Sequence, residues 1–419
     1  MTATFDWAAV EWAGVEWVSL TYVDVFGLGH SVTLPAARFA TAVERGEPID
    51  GSTVEGRARR LETDMLLVPD PTTLVRTGDG LARAACNVVN LNGSPFAADP
   101  RGILQGVAEA GAVAPDWTAA PELEFYLLNA DGGPVDRGGY LHEVEGLGIV
   151  VVRAAAARMG ACGIDVAACH LETGPGQYEI DLAPLPALPL ADSLILAKQL
   201  VREVAAEHGL RATFMARPWA GEPGSGLHLH QRSARLLDPD GKLTDDGGRY
   251  VAGQLTHARG LSALAAPNVN SYKRLHSGHE APGAVVWAQS NRGALVRVSA
   301  YRGEGASIEY RGADPSANPY LLIAGLLVAG AHGIEADLEP PPPLEEDLQG
   351  FDPAADSVRF EPLPRDLDQA LDALLADDVL VDAFDGQLLS RLMDGRRAEA
   401  DTYRGYVTAW ERSRYLDEP

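Results

Sequence analysis

The feature that most restricts how this chain folds is a period of two in its ionisable side chains. "SGLHLHQR" (225–232) alternates leucine with histidine, and "PELEFYLL" (121–128) sets glutamates between apolar residues. Successive side chains of a strand point to opposite faces. His228 and His230 therefore share one face and Leu227 and Leu229 the other, while Glu122 and Glu124 stand opposite Leu123 and Phe125. Two readings of the histidines fit: ligands for a metal or a phosphate, or polar residues on the wet face of an ordinary strand.

The remaining pattern predicts a mixture of strands and helices in more than one domain, as the 419-residue length also suggests. "EWVSLTYVDVFGLGHSVTLP" (16–35) reads as a hairpin around Gly27–Gly29, "LPAARFATAVERG" (34–46) as a helix, and residues 64–77 as further strand. The turn-forming stretch "NGSPFAADPRG" (92–102) marks a boundary. Beyond it, long helical stretches at 149–163 and 190–209 alternate with short strands at 211–218, 225–232, 293–301 and 307–313. "PYLLIAGLLVAGAHGI" (319–334) is broken by glycines and a histidine and reads as a buried helix rather than a membrane span. "EPPPPLEED" (339–347) reads as a stiff acidic linker, and residues 365–416 as amphipathic helix.

Charge narrows the function classes. With 34 Lys+Arg against 59 Asp+Glu the net charge is −25, which repels phosphate backbones and argues against nucleic acid as a partner. Three cysteines without metal-type spacing imply no disulfide framework. Residues 1–20 have neither a basic start nor a long apolar run, so the expectation is a cytoplasmic protein without a secretory signal or membrane partner.

Against this acidic background two sets of residues carry chemistry. "HLETGPGQYEID" places Glu172 and Glu179 on either side of a Gly-Pro-Gly turn, and "SIEYRG" places Glu309 beside Arg311. Taken singly, each glutamate reads more simply as a solvated strand residue. Carboxylates collected with a neutral imidazole suit Mg²⁺ or Mn²⁺ better than zinc, which prefers a compact His/Cys set. The second set is basic: Lys273, Arg274, Arg292 and Arg297 lie within 270–298, with Arg311 soon after. Guanidiniums offer paired donors to carboxylates and phosphoryl groups, although scattered surface arginines would give the same string.

In order along the chain, "DGST" (50–53), "EGRARRLETDM" (55–65), "PELEFYLL", "HLETGPGQYEID", "TFMARPWAGEPGSGLHLHQ" (213–231), "NSYKRLHSGHEAP" (270–282), "NRGALVRV" (291–298), "IEYRGADPSANPYL" (308–321) and "VTAWERSRYL" (407–416) resemble the glutamine synthetase family, in its bacterial type I form. The resemblance implies an α+β fold. A small β-grasp-like N-terminal domain (1–95) would precede a larger catalytic domain (96–419) with a curved antiparallel sheet and flanking helices. It also implies a homo-oligomer, commonly a stacked dodecameric ring, with each site shared between neighbouring subunits.

Carried over by motif, Glu124, Glu172 and Glu179 would hold one divalent cation, and Glu122, His228 and Glu309 a second. The cofactors implied are therefore two or more Mg²⁺ (or Mn²⁺) per site, with ATP as co-substrate. His230 would approach the nucleotide phosphates. Gly224, Arg274 and Arg311 would bind glutamate, and Arg292 and Arg297 would surround the transferred phosphoryl group. Glu280 would close the site and take a proton from the amine, and Asp50 would hold ammonium in a neighbouring subunit. The implied reaction is ATP-dependent activation of the glutamate side-chain carboxylate as an acyl phosphate, followed by condensation with ammonia.

Four positions depart from the family's pattern. Pro223 replaces an asparagine beside the amino-acid pocket, "HSGHE" (276–280) replaces Pro-Gly-Tyr-Glu, Arg232 replaces a serine, and Ser307 stands where an arginine often meets ATP. These changes lie on the substrate and nucleotide sides. They keep a second acceptor class open, namely polyamines, ethanolamine or alkylamines, and beyond it a non-catalytic scaffold or nitrogen sensor. Arg59 matches a feedback-sensing arginine of one subclass and reads equally as a solvent-facing one.

Overall fold

In the computed structural model the described residues are 14–54, 64–111, 113–143, 145–276, 281–299, 303–346 and 360–417. Arg59 and Glu280 lie outside them. The first sheet contains β1 (Trp17–Val23), β2 (Gly29–Pro35), β3 (Glu47–Asp50), β4 (Asp64–Pro69), β5 (Val75–Gly78) and β6 (Leu81–Asn90). Its order is β2-β1-β6-β4-β3, with β5 pairing β6. The expected hairpin forms, with Val23 opposite Gly29. Its turn is built on Asp24, whose Oδ1 accepts the N–H groups of Phe26 and Leu28 at 2.9 Å each. Gly27 has φ +87°, and a Cβ there would meet Asn318 Cα at 3.1 Å, so both conformation and close approach call for glycine.

The second sheet comprises β7 (Thr118–Leu128), β8 (Val166–Leu171), β9 (Gln177–Leu182), β10 (Arg211–Thr213), β11 (Leu227–Arg232), β12 (Trp287–Ala288), β13 (Val296–Val298) and β14 (Ile308–Tyr310). It runs β12-β13-β14-β11-β7-β9-β8, with β10 on the far half of β7. All pairs except β12/β13 are antiparallel. Leu123, Phe125, Ile180, Leu227 and Leu229 point to its apolar face and are at most 1% exposed.

Helices close over the core. The 21-residue helix Ala187–Glu207 contacts β7 and β10, and Pro319–Glu335 is buried over most of its length. The glycines that break the apolar run of the latter are packing residues. A Cβ on Gly253 would lie 2.1 Å from Ala329 O, and one on Gly333 2.1 Å from Arg249 O, so the helices Asp245–Thr256 and Pro319–Glu335 cross backbone to backbone. Among the described residues no helix is long and apolar enough to cross a membrane. The 339–346 stretch behaves differently from a free linker. Pro341 O accepts from Trp287 Nε1 at 2.6 Å, and Glu345 accepts the N–H groups of Gln289 and Ser290, so it is strapped onto β12. Its prolines lack N–H groups, yet their carbonyls remain acceptors.

Candidate active site

Antiparallel register turns the period-two pattern into a surface. His228 faces Glu122 across β11/β7, His230 faces Glu309 across β11/β14, and Arg297 faces Glu309 across β13/β14. On the other side of β7, Glu124 faces Glu179 and Glu122 faces Asp181, while His170 of β8 faces Glu179. The ionisable residues of six strands thus collect on one side of the sheet. They line a cavity of about 530 Å³ that contains Glu122, Glu124, Glu172, Glu179, Gly224, His228, His230, Arg274, Arg292, Arg297, Glu309 and Arg311. Asp50 is not among its lining residues; it ends β3, where its side chain accepts Ser52 N–H at 3.1 Å.

The cavity has two electrostatic halves. In the first, Glu122 accepts from both histidines, His228 Nδ1 at 2.9 Å and His230 Nε2 at 2.8 Å. Burial alone raises the Glu122 carboxyl, but these hydrogen bonds and the imidazole charges hold it far below the usual range. Glu309 is fully buried, accepts from Arg297 Nε at 2.5 Å and pairs with Arg311. Burial raises its carboxyl too, yet Arg311, His230, His228 and Arg297 bring it to about 2. His230 is raised: burial opposes the charge, and its hydrogen bond to Glu122 together with the charge of Glu309 outweighs it. Ser307, the residue in place of an arginine, bonds His230 Nδ1 at 2.9 Å and so orients the ring.

In the second half, like charges face one another. Burial, then Glu124, Glu122, Asp181 and Glu172, push Glu179 up to about 12, and burial with Glu124 pushes Glu172 to about 7. Asp181 is raised by burial and by Glu122, and among the described residues its buried Oδ1 has no hydrogen-bond partner. Carboxylates in that state favour a proton or a metal cation between them. Donor atoms of Glu122, His228 and Glu309 all lie within 4.8 Å of one another, as do those of His170, Glu179 and Asp181.

Glu124 is held by protein donors, Gln177 Nε2 at 3.1 Å and Gly226 N–H at 2.8 Å. Gln177 also donates to Gly224 O at 3.0 Å, and Tyr126 donates to Pro223 O at 2.7 Å, which fixes the loop before β11. A Cβ on Gly224 would strike Ala216 O at 2.5 Å and Arg274 at 2.6 Å. Arg274 is buried, with Nη1 unpartnered among the described residues. His170, Asp181 and Gln177 escaped the sequence reading. The same alternation had the signal for two of them, since His170 is two residues before Glu172 and Asp181 two after Glu179.

The sequence model described as "Glutamine synthetase, catalytic domain" matches residues 97–415, and "Glutamine synthetase, beta-Grasp domain" matches 14–90. The chain belongs to the glutamine synthetase family. It is 36% identical over 426 residues to the glutamine synthetase of Methanocaldococcus jannaschii, covering 94% of each chain. It is 37% identical over 419 residues to that of Thermus thermophilus, again with 94% of each covered. A ligand-free GmaS structure superposes with TM-score 0.85 at 30% identity, over 96% of this chain and 97% of that one, and a GmaS/ADP complex gives the same values. As a glutamine synthetase family member the chain is an ATP-dependent ligase with a β-grasp N-terminal domain. The family works on small molecules, depends on ATP and divalent cations, and is generally oligomeric.

Proposed function

We propose that this ligase joins glutamate to ammonia, with ATP consumed to ADP and phosphate. The carrying observation is a single cavity in which a carboxylate half adjoins a guanidinium half, the latter made by Arg274, Arg292, Arg297 and Arg311. The carboxylate half fits divalent cations: it is oxygen-rich, Glu172 and Glu179 are held above their usual range, and among the described residues Asp181 Oδ1 lacks a partner. Glu122, His228 and Glu309 would hold one cation, and Glu179 with Glu124 and Glu172 the other, joined by His170 or Asp181. Bound there, Mg²⁺ supplies positive charge to the ATP phosphates.

The γ-phosphoryl passes from ATP to an oxygen of the glutamate side chain, giving an acyl phosphate and leaving ADP. Arg292 and Arg297 neutralise the charge on the moving group, and Arg274 and Arg311 bind the amino acid. The amine nitrogen then attacks the acyl carbon and phosphate leaves. Ammonium must first lose a proton, a role we give to Asp50 of a neighbouring subunit and to Glu280. This reading carries a ring oligomer with shared sites, dodecameric by resemblance, working in the cytoplasm where ATP is made available.

A second acceptor class is favoured by a specific observation. The solved structures that superpose at TM-score 0.85 are of GmaS, a gamma-glutamylmethylamide synthetase, and Pro223 removes an amide from the pocket edge. The test is phosphate release from ATP and glutamate with Mg²⁺ and an acceptor panel of ammonium, methylamine, ethanolamine and putrescine. We expect the highest kcat/KM with ammonium. A higher value with an organic amine transfers the assignment to that amine, and no turnover with any acceptor overturns both readings. Glu124→Ala and His228→Ala should abolish turnover while the oligomer stays assembled.

A further inference from the structure

A buried cation without a carboxylate marks the amino-acid side of the cavity, where Arg274 is 4% exposed. The same signature recurs elsewhere among the described residues. A cleft of about 710 Å³ opens between the first sheet and the helix Ala187–Glu207, lined by Arg83, Lys198 and Arg202 with Thr21, Phe26 and Phe214. Arg83 and Lys198 are each 8% exposed. Their partners are neutral: Lys198 Nζ donates to Pro315 O at 3.1 Å, and Arg83 donates to Thr21 Oγ1 and Gln199 Oε1 at 3.0 Å each. Arg202, one helical turn beyond Lys198, sits over the Phe214 ring at 4.8 Å. Among the described residues no carboxylate lies within ion-pair distance of any of these three; Glu203, also in the cleft, accepts from Gln199.

Two other buried guanidiniums are paired, Arg101 with Asp70 and Asp192 and Arg311 with Glu309. A buried charge without a counter-ion is costly, and burial lowers the proton affinity of Arg83 and Lys198. In a protein of net charge −25, leaving three cations unpaired around one cleft is a local inversion of sign.

We infer that this cleft is a binding site for a small oxyanion, a carboxylate or a phosphate, held by Arg83, Lys198 and Arg202. Its position links it to the active site. Ala216 lines the cleft and accepts Ser225 N–H at 2.8 Å in the Gly224 loop. Asn270, also in the lining, directly precedes the short helix Ser271–Leu275 that carries Arg274. An occupant therefore steadies the elements that hold glutamate and lowers the KM for it. That kinetic consequence rests on the ligase reading, whereas binding does not.

The experiment is calorimetric titration of the full-length protein in a buffer free of phosphate and carboxylates, with inorganic phosphate, succinate and uncharged succinamide as probes. Phosphate or succinate should bind and succinamide should not; preference between the two tells a phosphoryl ligand from a dicarboxylate. Lys198→Met and Arg83→Met should weaken binding by about tenfold or more, as loss of a buried charge contact does. Arg274→Met should leave it unchanged, which separates this cleft from the active site. Arg202 is on the exposed edge of the cleft, so Arg202→Met tests the site even if the buried variants misfold. The inference fails if neither anion binds, if binding survives all three cleft variants, or if Arg274→Met abolishes it. It also fails if the cleft variants alter oligomer size without affecting anion affinity, because the cations then serve a subunit contact.

Discussion

Adding Mg²⁺ to the metal-free protein should release protons, with Glu179 as the main source. Burial and the charges of Glu124, Glu122, Asp181 and Glu172 put its carboxyl at about 12, against an ordinary 4.5, and Glu172 stands at about 7. At pH 7 Glu179 therefore keeps a whole proton and Glu172 close to half of one. A divalent cation requires both as carboxylates, so binding expels about one and a half protons per chain. The sign also fixes the pH dependence. A carboxyl raised above its unfolded value costs the metal-free fold stability as pH climbs past 4.5, and the cation removes that cost. Apparent affinity should rise by about tenfold per pH unit for each proton released. The assay is calorimetry in buffers of different ionisation enthalpy, where the slope of observed heat gives the proton count. Glu179→Gln should lower that count by about one. A slope of zero in the wild type, or an unchanged slope in Glu179→Gln, would refute the reasoning.

Three further outcomes are expected. The Glu309 carboxylate, held near 2 against 4.5, contributes stability that is complete above pH 4.5 and is lost as pH falls toward 2. The contribution is about 3 kcal/mol and should disappear from acid unfolding curves in Glu309→Gln, which will itself be less stable at pH 7. Gly224→Ala puts a methyl 2.5 Å from Ala216 O, so the loop must move. It should cost about 1–3 kcal/mol in thermal unfolding and raise the KM for glutamate more than it lowers kcat. Tyr126→Phe removes the hydrogen bond to Pro223 O, with a stability loss of about 1 kcal/mol and a rise in glutamate KM. An unchanged KM would show that this loop does not shape the pocket.

The sequence by itself determined whatever depends on neighbours along the chain. Alternation put His228 with His230 and Glu122 with Glu124 on single strand faces, and Asp24 with Gly27 set the first hairpin. Thr408 and Glu411 form the capping box of the last helix, in the stretch read as amphipathic helix. The ordered motifs were enough to indicate the family. Tertiary structure decided which faces meet, because strand register is a relation between distant segments and leaves no trace in any one of them. Register put His170 beside Glu179 and Asp181 beside Glu122, and it gave each histidine one oxygen of the Glu122 carboxylate. Folding also set Gln177 between Glu124 and Gly224, and turned Ser307 into a support for His230. Arg83 lies 115 residues before Lys198 and gives no hint in sequence that the two share a cleft. Only packing of the first sheet against the helix Ala187–Glu207 brings these charges together, and only their shared burial makes the missing counter-ion matter.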